Sequence, residues 1–282
     1  MVNEPNRADY SGPRRRLERA VAHRESMHDR FVETKDLHRL HGEVRRDGSA
    51  VYLALTQPCD PMLGAMFGDW LGAIRATLDH LFYQLAVLET GQNPPTRSGQ
   101  RQFPVCRTQE EFNALFTGRT RPLHGFGETA INAVRAMQPM NGKYGPDGDV
   151  ILWIHDHARI DRHRTDWEMG GRVERVVPEF AEGAEARVDT YYYADTDEIP
   201  PVCSATREFI PLVYVCKTEE DAIALVGELG FSADSKLELV DWYVDAHSKG
   251  VSANIRNDSL ADRMTFAEWF LGAAIDSFES LL

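Results

Sequence analysis

Cysteine is scarce: the 282 residues hold four, Cys59, Cys106, Cys203 and Cys216, far apart and without a C-x-x-C pair. Such a set builds neither a disulfide framework nor a zinc ribbon. We expect free thiols in a reducing cytoplasm. No run reaches the roughly 18 apolar residues of a membrane span. The polar, arginine-rich stretch from Met1 to Arg19 lacks the apolar core of a secretory signal. The sequence also lacks a P-loop, a dinucleotide fingerprint, a G-x-S-x-G elbow and an H-E-x-x-H pair. These absences point to a cytoplasmic chain with no cofactor and no membrane contact.

Positive charge is short overall, and unevenly so. The net charge is −13. Residues 1–180 balance 24 Lys+Arg against 24 Asp+Glu, whereas residues 181–282 hold 7 against 20. A generic nucleic-acid binder carries a broad basic field. Here any phosphate contact is expected to be local and within the first 180 residues.

What is present is helix, with some strand. Residues 14–40 contain neither Pro nor Gly and read as a helix. Asp47-Gly48 between two β-prone runs predicts a hairpin over 44–55. The clearest helix runs from Pro61 to Glu89. Phe67, Leu71, Ile74, Leu78, Leu81 and Leu85 form one stripe along it, and Gly91 and Pro94-Pro95 close it. Thr108 caps a further helix, Glu128–Met137 forms another, and Asp149 leads into one running to about Trp167. After Gly170 the runs 172–177, 186–193 and 207–216 suggest a small antiparallel sheet. Helices are expected again over 218–229, 234–246 and 260–281, the last with Phe266, Phe270, Ala273 and Phe278 on one side. The expected fold is α+β, a helical bundle with a small antiparallel sheet and C-terminal helices. Its division is 1–169 and 170–282, if it divides at all.

Two polar groupings interrupt this apolar pattern. The first is Arg75 and His80 in the middle of the best helix. An arginine among apolar residues needs a partner, and Asp79 stands at i,i+4 to supply one. Alternatively His80 moves a proton and Arg75 holds phosphate charge. Five residues separate the two by roughly 140° around the axis, so they converge only in a wide cleft or across an oligomer interface. The second grouping lies on 152–164. His155, Arg159 and Arg162 share a face, with His163 at its edge, and could bind a phosphate or carboxylate. Trp153, Ile160 and Trp167 form a separate stripe. His155, His157, Asp161 and His163 are also metal-ligand types, but H-x-H does not set both rings on one helical face. We assign no metal ligand.

The run Arg75-Ala-Thr-Leu-Asp79-His80, with Leu152-Trp153, His155 and Asp161-Arg-His-Arg164, resembles paired motifs of an uncharacterised bacterial protein family, over about residues 60–165. More loosely, Arg75-x4-His80 resembles the signature of the HEPN superfamily, helical bundles that include many metal-independent RNases of toxin–antitoxin and defence systems. That resemblance implies a metal-independent endoribonuclease of defence or stress type. Arg75 and His80 would be catalytic, with His155, Arg159, Arg162 and His163 lining the substrate cleft. RNA would be the substrate, sites of this type commonly form across a homodimer, and an antitoxin-like regulatory protein would be a partner. The competing readings are a non-catalytic binding or scaffold protein with a structural Arg/His network, and a metal-dependent hydrolase.

Overall fold

The computed structural model describes residues 8–35, 41–47, 50–56, 59–95, 102–117, 121–163, 167–179, 188–193, 202–203, 212–218, 220–221, 223–224 and 230–281. The fold is α+β. Among these residues the helices are α1 (Ser11–Lys35), α2 (Met62–Thr90), α3 (Gln109–Ala114), α4 (Glu128–Ala136), α5 (Val150–His163), α6 (Trp242–Ser248), α7 (Ala253–Arg256) and α8 (Leu260–Glu279). The strands are β1 (His41–Asp47), β2 (Ala50–Thr56), β3 (Met169–Glu179), β4 (Val188–Tyr193), β5 (Val202–Cys203), β6 (Leu212–Cys216) and β7 (Gly230–Leu239). All described pairings are antiparallel: β1 with β2, β5 and β7 on either side of β3, and β4 with β6.

The chain forms two compact units, neither of them continuous. One comprises 1–26, 65–166 and 249–282; the other 27–64 and 167–248. A cut near residue 170 does fall at the start of the strand-rich stretch. The C-terminal helices, however, group with the first part of the chain.

In the first unit, the expected stripe of α2 is the core. Phe67, Leu71, Ile74, Leu78, Leu81 and Leu85 are all fully buried. Phe82 meets Phe103 edge-on and stacks with Phe126. Trp70 lies against Phe67 and Trp153, and its indole N–H donates to Glu268 Oε1 at 2.9 Å. Arg24 Nε donates to both oxygens of that carboxylate, at 3.0 and 2.9 Å. The buried Glu268 is thereby satisfied, as a charge removed from water must be. α8 begins with a capping box between Ser259 and Asp262. Its buried side is Leu260, Met264, Ala267, Leu271, Ile275 and Phe278. This corrects the aromatic stripe expected there: of that set Phe278 is buried while Phe266 is exposed, as is the neighbouring Trp269.

The second unit carries the strands. The expected hairpin pairing is present, with His41 opposite Thr56 and Asp47 opposite Ala50; its turn residues 48 and 49 lie outside the described residues. The expectation of a helix over 234–246 is corrected: β7 runs to Leu239, and α6 starts at Trp242. Lys236-Leu-Glu-Leu239 fits either period over so short a run, and its long pairing with β3 decides the outcome. Most of the helix expected over 218–229 lies outside the described residues.

Candidate functional site

The opposite face of α2 determines where the site lies. Ala65, Gly68, Gly72, Ala73 and Ala76 recur at helical spacing and leave that face without bulk. α1 approaches it, and between them opens a cleft of about 720 Å3. Its polar lining is Arg15, Arg16 and Arg19 from α1, Asp69 and His80 from α2, and Asp161 from α5. Two glycines permit the approach. A Cβ on Gly12 would lie 2.2 Å from Cε1 of His80, and a Cβ on Gly68 would lie 2.4 Å from a carboxylate oxygen of Asp161.

His80 is half-buried at one end of the cleft. Arg16 Nε donates to its Nδ1 at 3.2 Å, and the Gln84 amide nitrogen stands 3.0 Å from its Nε2. The orientation of Gln84 follows from Asp9, whose backbone N–H donates to the Gln84 carbonyl oxygen at 2.9 Å. Burial holds the His80 imidazole below its ordinary pKa. Arg16 and Arg15 push the same way, and Asp9 opposes them. The ring is therefore neutral at pH 7, the form a proton acceptor requires.

Arg75 faces elsewhere. It is 6% exposed, pairs with Asp79 at 2.8 Å and donates to the Phe103 carbonyl at 2.9 Å. Its Nη1 lies 3.3 Å from Nδ1 of His155. Asp79 closes the circuit by accepting the Phe103 backbone N–H at 2.9 Å. Arg75 is absent from the cleft lining, so the five-residue spacing acts as the helical wheel requires, sending Arg75 and His80 to different sides of α2. Arg75 joins α2, α5 and the 102–106 segment. Arg16 is the arginine in contact with His80.

The expected face of α5 also divides. His155 meets Arg75, and Arg159 is exposed. The side chains of Arg162 and His163 lie outside the described residues. Trp167 lies beyond the end of α5, so the stripe drawn through Trp153 and Ile160 does not extend to it on this helix. His157 turns inward: its Nδ1 lies 2.8 Å from the Trp153 carbonyl oxygen, with the rings 5.1 Å apart. Desolvation lowers its pKa to about 4. Among the described residues no group of three or more His, Cys, Asp or Glu is arranged to hold a metal ion. Burial pushes the Cys59 and Cys106 thiols up to about 12 and about 11, which leaves both protonated and poorly nucleophilic at neutral pH.

Sequence reasoning missed Arg15, Arg16, Arg19, Asp69 and Gln84 as site residues, and treated Asp161 as a metal-ligand type and as part of the family-like motif, not as a cleft residue. The signal was the run Arg14-Arg15-Arg16 with Arg19 one turn on, which reads as a polar helix start without the apolar core of a secretory signal. No family model, curated protein or solved structure matches this chain.

Proposed function

We propose that this chain is a HEPN-like, metal-independent endoribonuclease whose active site is the cleft beside His80. The observation that carries the reading is the His80 imidazole opening onto a cleft lined by three guanidinium groups; burial, which holds its pKa down, supports it. In the reaction, His80 removes the proton of a ribose 2′-OH. The 2′ oxygen forms a bond to phosphorus as the bond to the 5′ oxygen breaks. The leaving 5′ oxygen takes its proton from the imidazolium just formed or from solvent. The products are a 2′,3′-cyclic phosphate and a 5′-OH, and no electrons change hands. Arg15, Arg16 and Arg19 hold the phosphate and its developing charge, as guanidinium groups do well. Arg75 supports the helix that presents His80.

The test is cleavage of a labelled mixed RNA with EDTA present, by wild type, His80→Ala, Arg75→Ala and the triple variant R15Q/R16Q/R19Q. The reading expects cleavage by wild type, its loss in His80→Ala and in the triple variant with folding retained, and a loss in Arg75→Ala no larger than its loss of folded protein. Inactivity of the wild type overturns it. A non-catalytic binding or scaffold role is the second reading, favoured by one observation: Arg75, Asp79, Phe103 and His155 form an internal polar network. In that case phosphate-bearing ligands bind the cleft and leave it unchanged.

A further inference from the structure

His80 carries a conflict that its neighbours impose. A neutral imidazole has one N–H and one lone pair in the ring plane. Here an N–H donor faces each ring nitrogen: Arg16 Nε at Nδ1 and the Gln84 amide at Nε2. Gln84 cannot turn its oxygen to His80 without giving up the Asp9 N–H. The lone pair thus satisfies one donor at a time. Adding a proton to the ring would set two N–H groups against two donors.

Gln84 is 6% exposed and fixed, whereas Arg16 is an exposed side chain on the cleft wall. A guanidinium gains more from a phosphate, through two charge-assisted bonds in a fork, than from one neutral ring nitrogen. The other groups about the ring are Arg15 on α1, Asp9 just before it, and Tyr83 beside it on α2.

We infer that Arg16 is a positioning residue that holds the lone pair of His80 at Nδ1 until the phosphate of a ligand takes its guanidinium, so that ligand binding moves the lone pair to Nε2, where Gln84 donates, and turns Nδ1 into an N–H facing the cleft. This rests on the reading of the cleft as a phosphate site and extends it to a specific device, a ligand-triggered change of the His80 tautomer. The lowered pKa of His80 agrees with it, since Arg16 is its largest charge contribution.

The test is the imidazole and guanidinium nitrogen spectra of the full chain, labelled at histidine and arginine, for wild type, R16Q and R16K, with inorganic phosphate as the probe. Three results are expected. First, R16Q without phosphate shifts Nδ1 of His80 to the position of a protonated ring nitrogen, with the lone pair at Nε2, and raises its titration midpoint. Second, saturating phosphate carries the wild-type Nδ1 to that same position while leaving R16Q nearly unmoved. Third, R16K lies between the two. Identical Nδ1 positions in wild type and R16Q before phosphate would overturn the inference alone. Absence of a phosphate-induced change at the side chains of Arg15 and Arg19 would overturn the phosphate reading beneath it. None of these readouts needs catalysis, so failure of the RNase reading is seen separately.

Discussion

Acid should unfold this protein partly through His157, and the effect can be isolated. The ring is packed against the Trp153 indole, and Arg263 stacks on the same indole at 5.7 Å. Arg263 and Lys249 add repulsion to any proton placed there. The folded pKa is about 4, against an unfolded value near 6.5. Between those values the unfolded chain binds a proton that the folded chain does not, so stability falls as pH drops. It starts to fall as pH passes below about 6.5 and levels off below about 4, where both states are protonated. A shift of about 2.5 units at 1.36 kcal/mol each comes to about 3 kcal/mol. His157→Phe keeps a ring against Trp153 and cannot titrate. Urea unfolding of wild type and His157→Phe should be compared at half-unit steps from pH 7.5 to 4. The difference between the two should change by about 3 kcal/mol across the window, because carboxylate titrations common to both cancel. Parallel curves would show that His157 is protonated in the native state without cost, and would refute the burial argument.

Two further predictions follow from the same geometry. Arg75→Ala removes the partner of Asp79 and a donor to the Phe103 carbonyl, and should cost about 2–4 kcal/mol in urea unfolding. Arg75→Lys should recover only part of it, because an ammonium lacks the planar fork; an unchanged midpoint in Arg75→Ala would show the network to be idle. Gly12→Ala places a Cβ where Cε1 of His80 now lies, so the ring must turn away from Arg16 and Gln84. RNA cleavage should fall by about a hundredfold while circular dichroism stays native, and full activity would mean that the ring position does not matter.

Much of the framework was legible locally. The apolar stripe of α2 recurs with the helical period, the Asp-Gly hairpin carries its own turn chemistry, and Thr108 caps α3 by accepting the Glu111 N–H at 3.2 Å. Short segments were less legible. Residues 236–239 suit helix or strand, and partners far along the chain decide between them. The aromatic residues of α8 misled for another reason: Phe266 and Trp269 look like core by type, yet Leu271, Ile275 and Phe278 complete the stripe that packs.

The site itself divides along the same line. The sequence alone determined that Arg75 and His80 leave α2 in different directions, because a helix turns a fixed angle per residue and five residues cannot face one way. It also determined that Arg75 has Asp79 within reach, one turn away. Only the tertiary structure decided which arginine meets His80. Arg16 is 64 positions from it in the chain, and no local periodicity links the two. What brings them together is packing: a small-residue face on α2, a glycine on α1 at the point of approach, and a core on the other side of α2 that fixes which face is left for the cleft.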